Sequence, residues 1–297
     1  MFLFGAGTSD NLVFIWVLPR MTDIVLTITR GGEPSQMAVL NLTSNTVRNV
    51  SIPYVNGATY FDGQIYVARY ALAGDIISVD PRTLSIATVL NSYFGLSFNF
   101  IDDLVWVHRK DRSYLFFTQV NFALLLPGLP PTSIPNTVWR WDPHEKVLQP
   151  VIGNRDFYYP NGIRVSPDQR TLYVTDTSTV AGLAPGGAPH IYAYTLDDNV
   201  MPVGKRVFGL VRTGFADGIH VDDRGRVWTA EGEGIVVRRS NGKILGVVNS
   251  EVLGVESVLN AIANFALAGD VLVIGARDKL YKIQLAQTVV TKGSTLS

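Results

Sequence analysis

Tyr159-Pro-Asn161-Gly-Ile-Arg-Val-Ser-Pro-Asp-Gln-Arg-Thr-Leu-Tyr-Val-Thr-Asp176 reads as a buried loop, a short strand, a tight turn and a second strand. A second copy runs Phe215-Ala-Asp217-Gly-Ile-His-Val-Asp-Asp-Arg-Gly-Arg-Val-Trp-Thr-Ala230. Each copy sets one small oxygen-bearing side chain, Asn161 or Asp217, before a glycine at the mouth of a strand.

Working outward, the same unit recurs. Short runs rich in β-branched and aromatic residues stand at Gln64–Ala68, Tyr114–Thr118, Thr171–Thr175, Arg226–Ala230 and Val271–Ile274. Each follows a turn signal, such as Asp62-Gly63, Asp168-Gln-Arg170 or Gly269-Asp270. Unit starts near Asn56, Asp102, Asn161, Asp217 and Asn264 are separated by 46, 59, 56 and 47 residues. Short antiparallel strands at such a period signal propeller blades. Residues 1–50 hold one further, weaker unit, so the expectation is an all-β six-bladed β-propeller, a single domain over 1–297. The 59-residue interval carries a Pro/Gly-rich insertion, Leu124 to Asn136, expected over one face. A β-sandwich is the alternative, but sandwiches do not usually repeat one turn chemistry at near-constant spacing.

Composition narrows the functional classes. The chain is 47% hydrophobic and 17% charged, with zero formal net charge, and its basic residues form no run. A nucleic-acid footprint is absent. With no cysteine, disulfides, zinc–thiolate sites and cysteine nucleophiles are excluded. The early apolar run Leu12–Leu18 is shorter than the roughly 20 residues of a spanning helix, and no secretory leader is recognised. The expectation is a cytoplasmic protein.

In a propeller the innermost strand of each blade lines the central channel, so residues at its mouth converge. Asn161, Asp217 and Asp102 hold equivalent positions in three successive units. Carboxylate and amide oxygens suit a hard cation such as calcium, with magnesium, manganese or zinc as alternatives. The other reading is that Asn-Gly and Asp-Gly are good turn pairs. His220 reads as a packed strand histidine, Glu231 and Glu233 as solvated turn residues, and Trp139 and Trp141 as packing between blades. His190 follows the loop Gly182 to Pro189, within reach of the channel mouth, with nothing to fix its orientation.

Pro160-Asn161-Gly-Ile, Ser166-Pro-Asp168 and Leu172-Tyr-Val-Thr-Asp176 resemble the gluconolactonase and senescence-marker-protein family of six-bladed propellers. Asn91–Asn99, Ala216-Asp217-Gly-Ile and Asn264–Ala268 resemble its fungal lactonase branch. The resemblance runs from about Val55 to Leu285. It implies a metal-dependent lactone hydrolase whose cation is held by a first-blade glutamate, an asparagine and an aspartate. Asn161 and Asp217 match the last two, and the resemblance makes Asp217 the general base as well. The implied partner is a small-molecule lactone, with no nucleic acid, membrane or obligate protein partner.

Two departures stand out. The glutamate position is expected at or just before Met1, so the ligand either lies upstream or has been lost; Asp10 and Asp23 are the candidate substitutes. Asp102 falls where the family has an asparagine, either compensating for the lost charge or marking drift; it would coordinate or orient substrate. The family's Thr-Asp pair is also changed, to Thr118-Gln119. A leucine- and proline-rich insertion points to a hydrophobic or secondary-metabolite lactone. The rival readings are a non-catalytic propeller with a decayed metal site, and a cyclase or isomerase using the same cavity.

Overall fold

A computed structural model describes residues 2–5, 10–17, 23–30, 34–121, 132–177, 189–255, 262–276 and 279–291. The innermost strands of its first five blades are Asp10–Val17, Val55–Phe61, Ile101–Arg109, Pro160–Val165 and Ile219–Val221. Each opens a four-stranded antiparallel sheet whose strands follow one another in chain order. The sixth blade begins at Asn264–Ala268 and continues through Val271–Ala276 and Lys279–Gln284. Its outermost strand is Phe2–Gly5, from the other end of the chain, paired antiparallel with Lys279–Gln284. Innermost strands touch around the whole circle, Asp10–Val17 meeting both Val55–Phe61 and Asn264–Ala268. The chain forms a six-bladed β-propeller, and its ring is closed by strand pairing between the two chain ends.

The N-terminal fifty residues therefore do not form one unit. Phe2–Gly5 completes the last blade, and the first sheet spans Asp10–Pro53. No sequence periodicity reports such a closure, because an edge strand of four residues carries too little pattern.

A twisted four-stranded sheet cannot bury both faces alone, so the core lies between blades. Six buried apolar clusters are found among the described residues, one for each blade interface. Ile163, Val165 and Leu172 of the fourth blade pack on Val105, Val107 and Phe116 of the third. Across the closure, Ala266 and Val273 meet Ile24, Ala38 and Leu40. Trp139 packs between the second and third blades as expected, with Trp141 beside it. Burial falls from inside outward: Ile101–Val107 is wholly buried, whereas Ile86–Thr88 on an outermost strand is exposed.

This strand order fixes the two faces. All innermost strands start at one face, which also carries the links between blades and the loops from second to third strands. The opposite face carries the tight hairpins. Asp62 and Gly63 both take positive φ there (44° and 82°), the geometry that selects Asp-Gly for a two-residue hairpin.

At the first face the blades approach closely. A Cβ on Gly57 would lie 2.3 Å from the Asp102 carbonyl oxygen and 2.6 Å from the Asp103 Cα. Both are backbone atoms of the next blade and cannot rotate aside. Gly57→Ala is expected to destabilise the fold by about 2 to 3 kcal/mol, read as a lowered urea midpoint. A wild-type midpoint would contradict this close approach.

Candidate functional site

Each strand mouth carries two consecutive residues. In the second, third and fourth blades they are Asn56-Gly57, Asp102-Asp103 and Asn161-Gly162, where a bulge sets two residues against one on the neighbouring strand. In the fifth blade Asp217-Gly218 stands opposite Ala230, the Asp217 amide donating to the Ala230 carbonyl at 2.9 Å. A bulge re-aims the first residue of each pair, which is how a strand edge turns a side chain toward the axis.

Threonines strap the ring. Thr118 Oγ1 accepts from the Asp103 amide at 3.0 Å and donates to the Asn161 carbonyl at 2.6 Å. Thr175 repeats the device one blade on, accepting from Gly162 at 2.8 Å and donating to the Asp217 carbonyl at 2.9 Å. Thr27 donates likewise to the Asn56 carbonyl at 3.3 Å. Each mouth is thus held in register with its neighbour.

The second mouth residue is structural. Asp103 Oδ1 accepts from the Leu104 amide at 2.9 Å, while Oδ2 takes the Ile163 amide and the Arg164 guanidinium at 3.1 and 2.6 Å. This buried pair clamps the third blade to the fourth. Asn264 follows Asp103, with its Oδ1 on the Phe265 amide at 2.9 Å and its side chain against Gly218. The sixth-blade start is therefore one residue earlier than the repeat spacing implies, at Ala263, and this blade adds no side-chain oxygen from its first mouth position.

The first mouth residues are brought together. The Asp217 carboxylate is hydrogen-bonded by Asn161, and Asp102 by Asn56. Burial and the Asp103 charge outweigh the Asn161 bond and push Asp217 up to about 7. Burial, then the Asp217 and Asp103 charges, hold Asp102 well above the ordinary carboxylate range. Tyr70, just past Gln64–Arg69, feels both acids: burial and the charges of Asp102 and Asp217 raise its hydroxyl pKa. Asn56 repeats the Asn-Gly signature of Asn161 and was legible in sequence as a site residue. Tyr70 carries no such signal, since only the loop path brings it to the acids.

The donor set suits a cation in one respect and falls short in another. Asp217 Oδ1 is the one buried carboxylate oxygen without a hydrogen-bond partner among the described residues. Two facing carboxylates with amide oxygens beside them suit a hard divalent ion, which would relieve the repulsion between the acids. The carboxylate count is low: no group of three His, Asp or Glu side chains placed for a metal occurs among the described residues.

The position that the family's glutamate would occupy does not lie before Met1. The innermost strand of the first blade is Asp10–Val17, so the equivalent mouth falls inside the chain rather than before Met1. Thr27, which matches Thr118 and Thr175, pairs with Phe14. No glutamate occurs in Asp10–Val17, and Asp10 is its single carboxylate. Asp23 is no substitute, because it starts the next strand at the opposite face and is bound by the Asn41 amide at 2.8 Å.

Other candidates resolve differently. His220 packs edge-on to Phe265 at 5.0 Å, and burial with the Arg164 charge keeps it well below its ordinary pKa. His190 lies 3.2 Å from the Tyr192 hydroxyl. Glu231 is not a solvated turn residue: it is fully buried, ion-paired with Arg238 and bound by Thr229 Oγ1 at 2.5 Å. Glu233 comes nearer that expectation but is also largely covered, its side chain 18% exposed and paired with the exposed Arg212. Gln119, in place of the family's aspartate, accepts from the Trp139 indole at 3.2 Å and donates to Asn99 at 2.9 Å. Its blade-four counterpart Asp176 instead accepts from the Tyr158 and Tyr159 amides, both at 3.0 Å. No helix among the described residues is long and apolar enough to cross a membrane.

A six-bladed propeller with an acid–amide cluster at its channel mouth defines a class, and comparison names the family. Residues 38–255 match the SMP-30/Gluconolactonase/LRE-like region, and the chain belongs to that family. It is 28% identical over 200 residues to a gluconolactonase of Zymomonas mobilis, covering 63% of this chain and 52% of that protein. It is 27% identical over 254 residues to lactonohydrolase oryL of Aspergillus oryzae, covering 76% and 54%. The chain thus spans about half the length of these curated relatives. A solved Xanthomonas campestris gluconolactonase superposes with a TM-score of 0.73 at 22% identity, covering 95% of this chain and 89% of that one. A calcium-binding regucalcin of Agrobacterium tumefaciens superposes with a TM-score of 0.66 at 16% identity, covering 96% and 95%.

Proposed function

We propose that this protein hydrolyses lactones at the channel mouth, with Asp217 as the general base. The observation that carries this reading is the Asp217 carboxylate itself, buried beside Asn161 with one unpartnered oxygen. A cation beside it would keep this carboxylate ionised, so that it can accept a proton at neutral pH. Asp217 takes a proton from the attacking water as its oxygen adds to the lactone carbonyl. The acyl–oxygen bond then breaks, and the ring oxygen receives a proton to leave an open hydroxy acid. Asn161, Asp217 and Asp102 would hold a divalent cation, calcium before zinc, magnesium or manganese. Held there, such a cation would supply Lewis acidity to the carbonyl and charge to offset the oxyanion. Asn56 orients Asp102, and the threonine straps fix the spacing of all three side chains.

Support comes from the family, from gluconolactonase and lactonohydrolase relatives, and from a calcium-binding neighbour of the same fold. The substrate is proposed to be an apolar lactone. The insertion that first suggested this lies largely outside the described residues, which resume at Thr132. A second reading, a non-catalytic binding propeller, is favoured by one observation: no glutamate on the innermost first-blade strand.

Acid release from alkyl, aryl and sugar lactones decides between them. The expected result is hydroxy-acid formation that a chelator stops and calcium restores. Inertness toward the whole panel with calcium, zinc, magnesium or manganese present would leave the binding reading.

A further inference from the structure

Exposed large apolar side chains are unevenly placed. Among the described residues they lie on outermost strands or on the channel-mouth face, where Tyr54, Leu72, Phe94, Leu96, Tyr158 and Val252 are exposed. Among the described residues, the hairpins of the opposite face carry none. One sector of the mouth concentrates them. The hairpin pairing Ser92–Tyr93 with Leu96–Ser97 holds Phe94 at its tip, 92% exposed, with Phe94 and Gly95 both at positive φ. A non-glycine residue at positive φ costs conformational energy, and an aromatic ring 92% in water gains no burial to offset it.

This sector is continuous with the acid cluster. The Tyr70 amide donates to the Tyr54 carbonyl at 2.7 Å, and the Phe100 amide to the Ala71 carbonyl at 2.9 Å. Gly74 bridges to Phe98, just past the Phe94 hairpin. The Tyr70 and Phe100 rings meet at 4.9 Å, Phe100 stands two residues before Asp102, and the Asp102 and Asp217 charges act on the Tyr70 hydroxyl. Three links of the mouth are thereby stitched into one platform, with Tyr70 at its inner end and Leu72 and Phe94 toward solvent. Its charge is silent as well. Residues 70–74 and 91–100 contain no ionisable group besides tyrosine, and Asp75 is paired with Arg69. Such a surface offers a lactone no charged partner, while an apolar chain finds aromatic rings beside the acid cluster.

We infer that this sector, Tyr70 and Phe100 with Leu72 and Phe94, is a subsite for the alkyl or aryl arm of the lactone. The inference rests on the hydrolase reading for its ligand class, and it fixes where the arm lies. The lactone ring sits at Asp102 and Asp217, and its substituent runs outward over the aromatic platform.

The test uses ligands that cannot be hydrolysed. δ-Valerolactams carrying ring-carbon alkyl arms of two to ten carbons are titrated into the full chain by calorimetry. Affinity is expected to rise by about threefold per added methylene. Phe94→Ser and Leu72→Ser, both solvent-facing, should flatten that slope, while Leu245→Ser on an outermost strand leaves it intact. Affinity independent of arm length overturns the subsite, as does a slope that only Leu245→Ser removes. Adsorption to phosphatidylcholine vesicles without arm-dependent lactam binding also overturns it, in favour of a lipid surface. Arm-dependent binding with no turnover of the matching lactones would retain the subsite and discard the hydrolase. Turnover indifferent to the arm does the reverse.

Discussion

Asp217→Asn is expected to lower lactone hydrolysis by about a thousandfold and, in cation-free buffer, to make the protein less sensitive to rising pH. The first effect follows from removing the base while keeping side-chain size. The second follows from linkage. Asp217 titrates at about 7 in the folded protein and near 3.9 in an unfolded chain. Between those values the native state holds a proton that the unfolded state has released. Wild-type stability therefore falls as pH rises from about 4 to about 7, then levels off. The loss is on the order of 3 kcal/mol for a partly exposed residue with a buried oxygen. An asparagine has no proton to lose, so that decline is missing. Melting temperatures in chelator at pH 5 and pH 8 read it directly: the wild-type drop should exceed that of Asp217→Asn by several degrees. Equal drops would show that this carboxyl is not the strained one. Activity within tenfold of wild type would remove it from the chemistry.

The fold was legible because hairpin chemistry repeats. Asp62-Gly63, Asp168-Gln-Arg170 and Asp222–Gly225 all stand where two strands reverse, and the strands between them came out in place. What periodicity missed was topological. Phe2–Gly5 belongs to the last blade, a pairing made by chain closure that no local pattern encodes. That misplacement moved the expected first-blade mouth out of the chain, when Asp10–Val17 contains it.

The site was legible in part for a related reason. Residues that repeat, Asn161, Asp217 and Asp102, announce themselves by equivalence between blades. Asn56 obeys the same rule, although in sequence its Asn-Gly pair marks only the start of a repeat unit. A one-residue offset hid the difference between Asp102 and Asp103, and placed Asn264 where Ala263 stands. Tyr70 and Glu231 were beyond reach. A loop residue declares its neighbours only once the loops are stitched, and a carboxylate after a strand looks solvated until Arg238 closes over it.

Asp102→Asn is expected to weaken calcium binding by about a hundredfold or more, a loss near 2.7 kcal/mol. The substitution installs the asparagine that the resembling family carries there, so sequence likeness alone would forecast an improvement. Electrostatics argues the opposite in this chain. The first-blade strand Asp10–Val17 supplies no glutamate, and Asp102 and Asp217 are the two carboxylates at the cluster. Both are pushed toward the protonated form by burial first, with the Asp217 and Asp103 charges adding at Asp102 and the Asp103 charge at Asp217, which is the state a divalent charge would reverse. Cation binding must release those protons, so wild-type affinity should climb between pH 6 and pH 8. With Asp102 replaced, one fewer proton is released and the climb should be shallower. Calcium titration by calorimetry at both pH values measures affinity and slope together. A variant that binds as tightly as wild type would identify Asp102 as drift, leaving Asp217 and the amides to carry the ion. Loss of both affinity and slope would identify it as the carboxylate that replaces the absent glutamate from a different blade.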